Sequence, residues 1–206
     1  MRRLIDLSQM IVDQMPVYPG DTPTSLIQTK FIQSDGYNNH RLEIGMHAGT
    51  HIDGPMHMTN SEEYISGLPL ETFIGEGIVL DVRNQPVIRM KPEYEQLIKP
   101  EIIVLLYTGL DQLYGSRAYY NEHPVVEVDF CRFLVEKKTK MLGVDLPSPD
   151  RYPFLVHQIL LENKILILEN LTHLEQLLGA ESFEVIAFPL KIKADGSMVR
   201  AVARIG

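Results

Sequence analysis

Apolar residues fall along the chain in runs of two kinds, and each kind predicts an element. GIVLDV at 77–82 and EIIVLLYTG at 101–109 are contiguous and rich in β-branched residues, the pattern of strands buried on both faces. KILILEN at 164–170 reads the same way, and KMLGVDLPS at 140–148 reads as a strand running into a loop. RLIDLS at 3–8 is a short strand, and HRLEIGMH at 40–47 alternates in strand fashion. VIAFPLKI and MVRAVARIG predict two closing strands around Asp195–Gly196, a pair that favours a tight hairpin turn. Other stretches follow the helical period. EVDFCRFLVEKK at 127–138 puts Phe130, Phe133 and Leu134 on one helical face, and KPEYEQLIK at 91–99 suits a short helix. FLVHQILLEN predicts a helix with Pro153 in its first turn, and LTHLEQLLG at 171–179 a helix ended by Gly179. VYPGDTP at 17–23 is dense in turn formers. Strands and helices mix without strict alternation, and no glycine-rich phosphate loop is present. The pattern predicts one α/β domain over 1–206 with a mixed sheet, rather than a doubly wound dinucleotide fold.

Composition narrows the partners. A chain of 206 residues is long enough to bury a core. The formal net charge is -8, and no run of Lys and Arg breaks that acidity, so nucleic acid and anionic membrane are poor partners. The one cysteine, Cys131, leaves no internal disulfide and fits a reducing compartment. Asp6, Ser8, Gln9 and Asp13 interrupt any apolar run in MRRLIDLSQMIVDQM, against a signal peptide. Nothing approaches the roughly 18 apolar residues of a membrane span. Cytoplasmic residence is the expectation.

The chemistry concentrates in HAGTHIDGPMH, His47 to His57, which holds three of the seven histidines and an aspartate. Gly49, Gly54 and Pro55 make a continuous helix improbable. On an extended chain His51 and Asp53 point the same way, because strand side chains repeat every two residues. A glycine-permitted turn can then fold His47 back beside them. Imidazole nitrogen and carboxylate oxygen suit Zn²⁺, Mn²⁺ or Fe²⁺, and three protein ligands leave a position open for water, the catalytic pattern. His57 is one imidazole more than such a site needs, and it reads as the general acid/base.

HAGTHIDGPMH resembles the hallmark of the cyclase-type metal hydrolases, which include bacterial kynurenine formamidases and isatin hydrolases. Its pattern is His, three residues, His, one residue, Asp, three residues, His, and every position matches. DLS, VYPGDTP, LGVDLPSPD at 142–150, His157 followed by ILILEN, and FPLKIKADGSMVRAV extend the resemblance over essentially the whole chain. The resemblance implies a swivelling β/β/α fold and a homo-oligomer, a dimer or tetramer. It implies metal ligation by His47, His51, Asp53, His157 and Glu169, with Asp53 bridging where two ions bind, and His57 as the proton carrier. The ion implied is Zn²⁺, one or two per subunit, with Mn²⁺ as the alternative. From the residues alone, His157 reads as a structural histidine of its helix and Glu169 as a strand-end carboxylate.

The activity implied is hydrolysis of a small-molecule amide, first N-formyl-L-kynurenine to L-kynurenine and formate. Opening a cyclic amide such as isatin is the rival within the chemistry, and a non-catalytic metal-binding protein the rival outside it. One departure stands out: the position of Tyr18 is often a substrate-stacking Trp in the formamidases, and this chain has no tryptophan. Tyr can still stack on a ring, so Tyr18 is the expected substrate contact. The remaining candidates read as structural. Cys131 reads as an inert core thiol, His123 as a surface residue, and His40 and His173 as carrying no ligand spacing. Asp145 is either a loop-ordering or an ordinary turn carboxylate, and Asp21 is a turn former.

Overall fold

The longest apolar runs become the middle of one sheet in this computed structural model, which describes residues 3–206. Met1 and Arg2, the start of the stretch read against a signal peptide, lie outside the described residues. In chain order the strands are β1 (Arg3–Asp6), β2 (Ser25–Lys30), β3 (Asn39–Glu43), β4 (His51–Asp53), β5 (Ile74–Asp81), β6 (Val87–Ile88) and β7 (Ile103–Tyr107). They continue with β8 (Val125–Val126), β9 (Met141–Val144), β10 (Leu166–Glu169), β11 (Phe183–Ile186), β12 (Gly196–Met198) and β13 (Val202–Ile205). The helices are α1 (Ile32–Asp35), α2 (Tyr94–Leu97), α3 (Arg117–Asn121), α4 (Val128–Glu136) and α5 (Leu155–Glu162). No helix among the described residues is long and apolar enough to cross a membrane.

The main sheet runs β1-β13-β11-β5-β7-β9-β10-β4-β12. Its centre, β5-β7-β9-β10, is parallel, and antiparallel strands extend it on both sides. This is the expected mixed α/β sheet. β7 is buried along its whole length, and its side chains alternate between two cores. Val104 and Leu106 face α4 and α5, where they meet Phe130, Leu134, Val156 and Leu160. Ile103, Leu105 and Tyr107 face a second cluster. That cluster gathers Ile5 of β1 and Ile52 of β4, from opposite ends of the sheet, so the sheet curls over it. Gly143 of β9 is a close-approach position, since a Cβ there would lie 2.4 Å from Leu105 Cδ2.

Five local expectations need correction. The alternating run at 40–47 is strand only to Glu43, and β3 pairs with β2 in a hairpin whose β3 residues are all exposed. Pro153 lies ahead of α5, not in its first turn: Phe154 is left-handed at φ 59 and ψ 43, so helical geometry begins at Leu155. The 171–179 stretch holds only a 3-10 turn at Leu174–Leu177, entered from a left-handed His173; the three-residue spacing of Leu174 and Leu177 lets both reach the core. The two closing strands do pair, β11 antiparallel with β13 and onward to a Pro189–Val199 bridge, but Asp195–Gly196 is not a tight turn between them, because Gly196 opens β12, which pairs with β4. His123 is also not a surface residue, being only 2% exposed.

Candidate metal centre

Gly49, in a left-handed turn at φ 64, reverses the chain between His47 and β4. β4 is extended, so Ile52 points into the curled core while His51 and Asp53 point together to the other face. The antiparallel register with β10 sets Glu169 directly opposite His51. Glu169 shares its face with Ile167, which belongs to the cluster under α5. That helix delivers His157. Three separate elements therefore place His51, Asp53, Glu169 and His157 on one side of the sheet, all at most 4% exposed.

Two carboxylates link the imidazoles. Asp53 Oδ1 lies 2.7 Å from His47 Nδ1 and 3.3 Å from His51 Nε2, and its Oδ2 lies 3.6 Å from His157 Nε2. Glu169 spans the same two histidines: Oε2 is 3.4 Å from His51 Nε2, and Oε1 is 3.2 Å from His157 Nε2. The outward ring nitrogens are committed to other acceptors. His51 Nδ1 donates to the Gly49 carbonyl at 2.8 Å, and His157 Nδ1 to Asp150 Oδ1 at 2.5 Å. The other Asp150 oxygen accepts from the Val156 amide at 2.6 Å, capping α5. Each ring is thus turned so that Nε2 faces the carboxylates, the arrangement outer partners impose on metal-binding histidines.

Electrostatics bind the cluster tightly. Burial opposes charge on His51, but the Asp53 and Glu169 carboxylates outweigh it and hold its pKa at about 10. Burial likewise opposes charge on His47, and its hydrogen bonds to Asp195 and Asp53 raise it to about 9. Against the same desolvation, His51 and His157 keep Asp53 well below the usual carboxylate range. Burial and the nearby Asp53 charge push Glu169 up, yet its bonds to His157 and His51 leave it lowered.

The His57 and His47 rings meet at a 32° tilt with centroids 4.0 Å apart. One oxygen, Asp195 Oδ2, accepts from both: from His47 Nε2 at 2.8 Å and from His57 Nδ1 at 3.1 Å. Asp195 escaped the sequence reading because its Asp-Gly pair matched a hairpin signal. Here Gly196 is required for approach, since a Cβ would lie 2.8 Å from both His47 Cε1 and the Ile52 carbonyl. Asp150 also escaped, hidden among the turn residues of LPSPD.

The cluster opens into a cavity of about 200 Å³ walled by Tyr18, Tyr114, Tyr120 and Phe154, with Met58 and Val17. Tyr18 meets Tyr120 edge-on at 6.1 Å. Asp21, which closes a turn by donating its amide to the Tyr18 carbonyl at 3.0 Å, lies on the wall with no side-chain partner among the described residues. His47, His51, Asp53, His57, His157, Glu169 and Tyr18 all line this cavity, so every sequence-predicted site residue converges there. His40 and His173 stay outside it. Asp145 orders the neighbouring loop by accepting from the amides of Thr108 and Gly109 and the Thr108 hydroxyl, at 2.7–3.0 Å. Cys131 is on the buried face of α4, its thiol pushed up to about 12 by burial.

The donor set fits a divalent cation. Asp53 Oδ2 is buried without a hydrogen-bond partner, and an ion would satisfy an acceptor that water cannot reach. His47, Asp53 and His57, and separately His51, Asp53 and Glu169, each bring a nitrogen and oxygen set within 4.8 Å. Nitrogen and carboxylate donors of this kind suit Zn²⁺ or Mn²⁺.

Residues 5–151, which include His47, His51, Asp53 and His57, match the family model described as "Putative cyclase". The kynurenine formamidase of Bacillus mycoides is 33% identical over 212 residues, spanning 97% of this chain and 96% of that protein. The kynurenine formamidase of Bacillus cytotoxicus is 30% identical over 207 residues with the same coverage. Among solved structures, isatin hydrolase A from Labrenzia aggregata superposes with a TM-score of 0.87 at 23% identity, covering 99% of this chain and 94% of that one. Isatin hydrolase A from Ralstonia solanacearum gives 0.88 at 20% identity, covering 100% and 92%. The two structures share the fold. The chain belongs to the cyclase family.

Proposed function

We propose that this chain is a metal-dependent amide hydrolase and that its substrate is N-formyl-L-kynurenine, released as L-kynurenine and formate. The observation that carries the reading is the sharing of Asp53 and Glu169 between His51 and His157 at the floor of an aromatic-walled cavity. His47, His51, Asp53, His157 and Glu169 would hold the metal, zinc in our reading. Such an ion supplies Lewis acidity, activating a water and polarising the scissile carbonyl.

The protein's own residues do the rest. His57 lines the cavity beside the cluster, and its Nδ1 is held by Asp195, which leaves Nε2 to take a proton from the attacking water and return it to the departing nitrogen. Tyr18 and Tyr120 offer faces and edges to an aromatic ring. Asp21 supplies a carboxylate for the α-ammonium of formylkynurenine, and among the described residues no Lys or Arg lines the cavity. The substrate's wall is thus apolar with one acidic point. Kynurenine formamidases as relatives across nearly the full length support the choice of substrate.

The deciding experiment is formate release from N-formyl-L-kynurenine by zinc-reconstituted protein, with chelated protein as control and isatin in parallel. Zinc-dependent turnover on the order of 1–10³ per second is expected. Zinc-dependent opening of isatin without formate release would move the substrate to a cyclic amide. Zinc bound with neither amide turned over would leave the non-catalytic reading standing.

A further inference from the structure

We propose that Asp195 is a positioning residue: it fixes His57 as the tautomer with Nδ1 protonated and Nε2 free, and acts on turnover through His57. The argument starts from atoms. A carboxylate oxygen can only accept, so the 3.1 Å contact with His57 Nδ1 requires the proton on that nitrogen. Neutral imidazole then has its lone pair on Nε2, which has no protein partner among the described residues. His57 lacks any other anchor of this kind. Its ring neighbours, the His47 ring at 4.0 Å and the His157 ring at 6.1 Å between centroids, offer no hydrogen bond that selects a tautomer.

The same Asp195 oxygen holds His47 Nε2, so the proton carrier and a candidate metal ligand share one acceptor. The backbone of Asp195 is held beside β4. Asp195 O accepts the Gly54 amide at 2.8 Å, and β12 registers Gly196 against Asp53. The Cα that carries the carboxylate is thus tied to the strand pair that carries His51 and Asp53.

The proton balance follows from the tautomer. The attacking water loses a proton to His57 Nε2 as its oxygen bonds to the carbonyl carbon. The C–N bond then breaks, and the Nε2 proton goes to the leaving nitrogen. His57 returns to the neutral form with Nδ1–H still on Asp195. The wrong tautomer would present N–H to the water and could not accept its proton.

The catalytic consequence rests on the amide-hydrolase reading, while the tautomer does not. Two readouts separate them. Ring nitrogen NMR of His57 in wild-type protein and in Asp195→Ala, zinc-loaded and chelated, reports the tautomer. Nδ1–H alone is expected in wild type and a mixture in the variant. Asp195→Asn, which keeps one acceptor oxygen and the side-chain shape, should restore much of the bias. In zinc-loaded proteins of equal metal content, Asp195→Ala should lower kcat about 10–100-fold with little change in KM. Added to His57→Ala it should lower kcat no further, because the two act as a unit. An unchanged His57 tautomer in Asp195→Ala, or an equal loss with and without His57, overturns the proposal. If wild-type protein hydrolyses no amide, the functional reading fails, and the NMR result still decides the role of Asp195.

Discussion

Glu169 lies directly across the strand pair from His51, with its Oε2 3.4 Å from His51 Nε2 and its Oε1 3.2 Å from His157 Nε2. One side chain at the end of β10 thus spans a histidine from the neighbouring strand and another from the helix above.

Replacing Glu169 with Gln keeps the volume and removes the charge that both imidazoles face. Zinc affinity is expected to fall by at least about 10-fold, since even outer partners of metal ligands cost 10–100-fold. Competition with a chromogenic chelator measures it. Unchanged affinity would remove Glu169 from the ligand set.

His57 meets the cluster through Asp195 and a tilted ring contact with His47, and a nitrogen of its ring lies within 4.8 Å of ligand atoms of His47 and Asp53. In His57→Ala, turnover of N-formyl-L-kynurenine should drop about 10²–10⁴-fold, the usual contribution of a general acid/base. Elemental analysis should give wild-type metal content. Loss of metal would make His57 a ligand.

Gly196→Ala would force a Cβ to 2.8 Å from both His47 Cε1 and a backbone carbonyl. Neither strand can yield easily, so destabilisation of about 1–3 kcal/mol is expected, with displacement of His47. Thermal unfolding of chelated protein isolates the packing cost from metal binding, and a variant as stable as wild type would show that the β4–β12 contact relaxes freely.

Tyr18 borders the cavity and packs edge-on against Tyr120. Tyr18→Ala should raise KM for an aromatic amide about 2–10-fold, the equivalent of 0.5–1.5 kcal/mol for an aromatic pair, with kcat nearly constant. A fall in kcat at constant KM would place Tyr18 in the chemistry instead of in binding.

Burial pushes the Cys131 thiol up to about 12. Only the thiolate is nucleophilic, and its fraction grows as pH approaches that value. Native protein should therefore resist a disulfide reagent at pH 8 and react fully once unfolded. Rapid reaction of the native protein would contradict the burial of Cys131 on the inner face of α4.

The sequence by itself determined the elements whose cause is local. Continuous apolar runs at 101–109 and 164–170 became the buried strands β7 and β10, because such runs are stable only when covered on both faces. The HAGTHIDGPMH segment was legible for the same reason. Strand periodicity puts His51 and Asp53 on one face, and a left-handed glycine returns His47 to them. His157 and Glu169 were legible only by resemblance, since a buried histidine on a helix and a carboxylate at a strand end carry no local mark of a ligand. Tertiary structure decided the rest. Register between β4 and β10 brought Glu169 to His51, and packing of α5 brought His157 to both. Curling of the sheet set β12 beside β4, 138 residues of sequence separation between His57 and Asp195 notwithstanding. An Asp-Gly pair has the same turn propensity in a hairpin as at the start of a distant strand. Only the pairing of that strand turns its carboxylate into the shared acceptor of His47 and His57.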